Sequence, residues 1–139
     1  MRVIVLASAL LFAVLASARG QQAMPACDGD FAIVRVARVK PGGSLQGLAA
    51  AAAAHQAWYR ANGVTDNDIV VSRVVTADPA TGTVRYSDTE VLTYHIRPPA
   101  APRTPNRGNA EWNGYVKQYQ DNSEVVSEHL TCLPRAVRR

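Results

Sequence analysis

The chain's two cysteines, Cys27 and Cys132, bracket almost all of the sequence able to form a folded domain. If they bond to each other, every admissible fold must bring its first residues to within about 4.4–6.8 Å (Cα to Cα) of its last. Compartment decides whether they bond, and residues 2–18 bear on compartment. Arg2 supplies a positive start, Val3 to Leu15 is apolar except for Ser8, and Ala16-Ser17-Ala18 has the small-x-small pattern that signal peptidase accepts. The apolar run is shorter than the roughly 20 residues that span a bilayer. Residues 1–18 therefore read as a cleaved secretory signal, with the mature chain starting near Arg19 and bound for the periplasm or the exterior. Two thiols in an exported chain favour one intramolecular disulfide. Closing a loop of about 100 residues would contribute on the order of 4–5 kcal/mol by the chain-entropy argument. Met24-Pro25-Ala26-Cys27 has the outline of a lipidation box, but the apolar run ends too far upstream to place Cys27 at a membrane surface. Metal binding by two isolated cysteines without CxxC spacing is weaker still.

Removing 18 of the 139 residues leaves 121, the size of one domain, and takes the formal charge from +4 to +3 with the loss of Arg2. Lys and Arg are scattered apart from Arg135, Arg138 and Arg139, so the clustered cations of a nucleic-acid surface are missing and that tail (residues 134–139) reads as a solvated end. After signal cleavage no apolar segment is long enough for a membrane span, so neither nucleic acid nor membrane is an expected partner.

Behind an extension over residues 19–30, Phe31 to Val39 is rich in β-branched residues and reads as a strand. Lys40-Pro41-Gly42-Gly43 makes a turn, and Ser44 caps a helix from Leu45 to Ala61 with an expected apolar stripe of Leu45, Leu48, Ala49, Ala52 and Tyr59. Asn62-Gly63 ends it, with Val64 placed to pack back on Tyr59. Asp68 to Thr76 and Thr83 to Ile96 are expected strands around the turn Asp78-Pro79-Ala80-Thr81-Gly82. Residues 98–108, with four prolines, read as an extended connection. Asn109 caps a second helix whose Trp112, Tyr115, Val116 and Tyr119 follow helical spacing, and Val125 to Cys132 is the last expected strand, stopped by Pro134.

The order β-α-β-β-α-β is the split βαβ pattern of ferredoxin-like domains, an α+β class with a four-stranded antiparallel sheet and two helices on one face, here over residues 31–133. In that topology the last strand lies antiparallel beside the first, which would bring Cys27 and Cys132 together. The strands are apolar on both faces: Phe31, Ile33, Ala37 and Val39 alternate with Ala32, Val34 and Val36, and Ile69, Val71 and Val75 with Val70 and Val74. A sheet covered on one side should be polar on the other, so a second copy packing face to face is expected, the alternative being that the proline-rich segment or a terminus folds over that face. This layout resembles the dimeric α/β-barrel superfamily, and His55-Gln56-Ala57-Trp58-Tyr59-Arg60 at the end of the first helix resembles its EthD and NIPSNAP branches. The resemblance implies a homodimer; such families include cofactor-free oxygenases, isomerases and haem-handling proteins, so fold alone selects no function.

His55, at the edge of the first helix's stripe, is the candidate general base of a cofactor-independent enzyme, with Tyr94 or Tyr59 beside it. Trp58, Tyr59, Tyr94, Trp112 and Tyr115 are the candidate walls of a pocket for a small apolar or planar ligand, against the plainer reading of core packing. Trp58 lies off the main stripe and needs a second surface to bury it: the other helix, a partner subunit or a ligand. A metal or haem handler using His95 or His129 is a third reading, and a three-histidine site would require His55, His95 and His129 on one side of the sheet. Asp66-Asn67-Asp68 lacks the glycine and distal glutamate of a calcium loop and reads as strand-entry polarity. Pro41-Gly42-Gly43-Ser44 lacks the phosphate-loop pattern, and no GxSxG is present. No cofactor or resident metal is expected. The leading expectation is an exported, disulfide-closed domain, dimeric, that binds a small molecule or a partner.

Overall fold

The structure, a computed structural model, describes residues 25–99 and 106–134. The expected signal segment, most of the extension before Cys27, the middle of the proline-rich connection and the basic end beyond Pro134 lie outside the described residues.

Six elements follow in the order β1 (Gly29–Val39), α1 (Leu45–Ala61), β2 (Asp68–Ala77), β3 (Val84–Ile96), α2 (Ala110–Asn122) and β4 (Ser123–Pro134). All strand pairings are antiparallel, in one sheet ordered β2-β3-β1-β4, with both helices on one face. This is the ferredoxin-like α+β arrangement. Both outer ends run longer than the alternation of apolar residues indicates. β4 pairs with β1 from Val39 opposite Ser123 to Gly29 opposite Pro134, with one register shift between Val36 and Ala37, so the ladder recruits residues with little strand preference of their own. Pro134 sits at the strand end, where a missing N–H costs least. The same pairing sets Phe31 opposite Cys132, and Cys27 bonds Cys132 with Cα atoms 5.7 Å apart, closing a separation of 105 residues.

Local chemistry fixes the helix ends. The Ser44 hydroxyl accepts from Gly47 N at 2.9 Å, and Asn109 Oδ1 accepts from Trp112 N at 2.8 Å, each satisfying an orphan donor of a first turn. Gly63 takes φ 78° after α1, and Val64 N returns to Tyr59 O at 3.0 Å. The start of α1 abuts the end of α2, where Asn122 Oδ1 accepts from Ser44 N at 3.0 Å. A Cβ on Gly47 would stand 2.0 Å from that same oxygen, so only glycine permits the approach.

The expected stripe of α1 needs one correction. Leu48, Ala52 and Tyr59 are buried, but Ala49 is exposed and Ala51 is buried in its place. Trp58 is buried as well, at 4 % exposure, and the surface that covers it is α2: its Nε1 donates to Asn109 Oδ1 at 3.2 Å and its ring meets Trp112 edge-on at 4.8 Å. One core cluster thus joins Trp58, Tyr59, Val64 and Tyr115 between the helices, and a second joins Ala37, Leu48 and Val91 between α1 and the sheet.

Candidate functional site

Between the paired helices and the sheet lies a half-open cavity of about 540 Å³, within the several-hundred-Å³ range typical of small-molecule sites. β1 floors it with Ile33, Arg35 and Ala37; β3 adds Thr93 and His95. α1 contributes His55 and Tyr59, and α2 contributes Trp112, Tyr115 and Tyr119. These last positions are one helical turn apart on each helix, so each helix presents a single aromatic edge to the same space.

His55 stacks between Tyr115, with ring centroids 4.3 Å apart, and Tyr59 at 4.9 Å, and meets His95 edge-on at 5.4 Å. Burial in this aromatic setting, reinforced by the charges of His95, Arg35 and Arg107, lowers the imidazole pKa to about 3. Burial lowers His95 to about 4. Both rings are therefore neutral at physiological pH. Burial acts in the opposite sense on the phenols: Tyr119 is pushed up to about 12, and Tyr59 and Tyr115 are raised too, so none ionises near neutrality.

The tautomer of His95 follows from its neighbour. Asn67, fully buried, takes Arg60 Nη1 on its Oδ1 at 2.7 Å and Gln56 Nε2 at 3.4 Å. Its amide nitrogen is then turned to His95 Nε2 at 3.3 Å, which must accept, leaving the imidazole proton on Nδ1. Asp66-Asn67-Asp68 is thus strand-entry structure: Arg97, at φ 51°, donates to Asp68 at 2.7 Å, to Asp30 at 3.1 Å and to the Asp66 carbonyl. These bonds tie together the ends of β1, β2 and β3 and hold His95 in place.

Two polar atoms in the cavity wall are left over. His55 Nε2 and Tyr115 Oη are buried with no hydrogen-bond partner among the described residues. Each such orphan costs about 1–3 kcal/mol, and unpaired buried groups concentrate where function requires them.

Of the residues expected to wall a pocket, Tyr59, Trp112 and Tyr115 meet around this space, and His55, expected as a general base, lines it with them. Trp58 stands behind the wall, filling the seam between the helices. Tyr94 borders the cavity from β3, but its register partners are Val34 and Val70, on the face opposite His95. His129 also pairs with Val34, which puts it on that opposite face, so the three imidazoles cannot share one ion. No cluster of three or more metal-binding side chains occurs among the described residues. Arg35 and Arg107 enter the site unannounced. Arg35 shares the face of Ile33 and Ala37 on β1, and a lone charge inside an apolar strand face was the available signal. Arg107 lies in the proline-rich connection, where nothing in the pattern assigns a direction.

No family model matches the sequence, and no curated protein matches it. Among solved structures the chain is similar to a phage SAM lyase in complex with S-methyl-5'-thioadenosine, at 13 % identity, covering 80 % of this chain and 96 % of that one, with a TM-score of 0.26. A similarity that low carries no argument about this site.

Proposed function

We propose that the protein is an exported, disulfide-closed domain that binds a small planar or apolar molecule between its helices and its sheet, working as a homodimer. The observation that carries the reading is the aromatic-walled cavity of about 540 Å³, kept open beside two unpartnered polar atoms. A core selected only for stability would fill such a space and pair such atoms. The disulfide fits an oxidising compartment, as does a signal segment at residues 1–18.

The homodimer rests on the sheet's uncovered face. Across the register, Val70, Tyr94 and Val34 form one row ending in His129, and Leu92 and Val36 form the centre of the next, flanked by Ser72 and Ser127. Val70 is 44 % exposed. Arg38, Glu90 and Asp68 stand at the ends of this patch, so the centre is apolar and the rim charged, the composition of a self-complementary interface. A second copy laid on it gives the face-to-face pairing of dimeric α/β barrels.

A cofactor-independent enzyme with His55 as general base is the second reading, drawn from the open valence of its Nε2. An imidazole held near pKa 3 is a weak proton acceptor at neutral pH, so His55 serves better as a neutral wall and acceptor than as a base. Native mass spectrometry of the chain exported to a periplasm and purified without reductant tests the proposal. It predicts a dimer of subunits lacking residues 1–18, each two hydrogens lighter than the reduced mass. Retention of residues 1–18 would overturn export, and a monomer would overturn the pairing.

A further inference from the structure

The charges around the cavity are unevenly committed. Arg35 on the floor and Lys40 and Arg107 farther along the lining stand against a single carboxylate, Glu124. Arg35 already holds Glu128 at 2.6 Å, Glu124 answers Arg38 at 3.5 Å, and Lys40 donates to the Gln120 carbonyl at 2.7 Å. Arg107 has no acidic partner among the described residues; its guanidinium lies over the Trp112 ring, 4.8 Å from the centroid. That stacking holds the guanidinium plane at the rim beside the aromatic wall while leaving its N–H fork unused. The field inside agrees: Arg107 acts on His55, Tyr59 and Tyr115, and Arg35 on His55, Tyr59 and Tyr119.

Resting on the binding reading above, we infer that the ligand is a planar aromatic anion: a fused or extended aromatic body seated among Tyr59, Trp112 and Tyr115, with a carboxylate or sulfonate at its edge held by Arg107. The fork geometry of a guanidinium suits a two-oxygen anion, and its place over Trp112 puts charge recognition at the end of the aromatic slot rather than in its depth. Neutral His55 and His95 are consistent with this division, since the one charge on the floor, Arg35, is already held by Glu128 and the imidazoles add none to oppose the ring system.

A matched naphthalene series separates this inference from the reading beneath it. 2-Naphthoate, 2-naphthylmethanol and 2-naphthylmethylammonium, titrated calorimetrically at pH 7.5 and low salt into the oxidised protein, share a ring and differ in charge. Naphthoate should bind about tenfold or more tightly than the alcohol, as one charge-assisted contact implies, and the ammonium should bind weakest. In Arg107→Gln the ratio of naphthoate to alcohol affinity should collapse towards one, and Arg107→Lys should restore part of it. Equal binding of all three probes would overturn the anion preference and leave the binding reading standing. Preference for naphthoate unchanged in Arg107→Gln would overturn the assignment to Arg107. Failure of all three to bind would overturn both.

Discussion

Two neutral imidazoles inside one small domain make its stability depend on pH in a defined direction. His55 and His95 titrate near 3 and 4 when folded, against 6.5 in an unfolded chain, with desolvation the leading cause in both. Because the folded values are depressed, the unfolded chain binds more protons over the interval between them. Stability is then fully present above pH 6.5 and is lost as the pH falls towards the folded values. At pH 5.0 the unfolded chain holds both protons and the folded chain neither, which costs about 2 kcal/mol per imidazole and about 4 kcal/mol together, at 1.36 kcal/mol per pKa unit. Asp and Glu remain mostly ionised in the unfolded chain at that pH, so they add little. Urea unfolding at pH 7.5 and pH 5.0, followed by far-ultraviolet circular dichroism, reads the difference as a shift of midpoint at constant slope. In His95→Gln, which has no proton to take up, the loss on acidification should fall to about 2 kcal/mol. An unchanged midpoint between the two pH values would show both rings taking up protons while folded, and the desolvated site would be refuted.

Replacing both cysteines with serine should lower stability by about 5 kcal/mol and the melting temperature by roughly 20 °C, from the chain entropy of a 105-residue closure; calorimetry showing a drop of only a few degrees would refute that contribution. Asn67→Ala strips acceptors from Arg60 and Gln56 and the donor from His95, and should cost about 3 kcal/mol in denaturant unfolding; a cost near zero would mean that the network adds nothing. Val34→Asp places a charge at the middle of the uncovered sheet face. Sedimentation should then show a monomer with unchanged circular dichroism, and a persisting dimer would move the interface elsewhere.

The element order was readable because punctuation is chemical. Ser44, Asn62-Gly63, Asn109 and the prolines mark where helices begin and end whatever surrounds them. The pairing of Cys27 with Cys132 followed from topology and compartment together. The Ala49–Ala54 tract was less legible: alanine carries almost no hydrophobic asymmetry, so which alanines face inward was set by how α1 packs on α2, and Ala51 took the place given to Ala49. Tyr59, Trp112 and Tyr115 could be named as candidate walls because helical spacing gathers each helix's aromatics on one edge, whereas the seating of His55 between two of them was not legible. Arg107 and the unpaired valences of His55 and Tyr115 were not, because a cavity belongs to the assembled packing and not to any one segment. The face on which each strand residue lies needs the register, and the register separates His95 from Tyr94 and His129.

That separation provides the most direct test of the proposed binding site. His55 and His95 lie on the cavity side of the sheet and His129 on the other. Nuclear magnetic resonance of ring-labelled histidines, titrated with 2-naphthylmethanol at pH 7.5, reads all three positions at once. A ligand seated in the cavity should shift His55 and His95 saturably and leave His129 unmoved. Shifts confined to His129, or none at any ring, would contradict that seating.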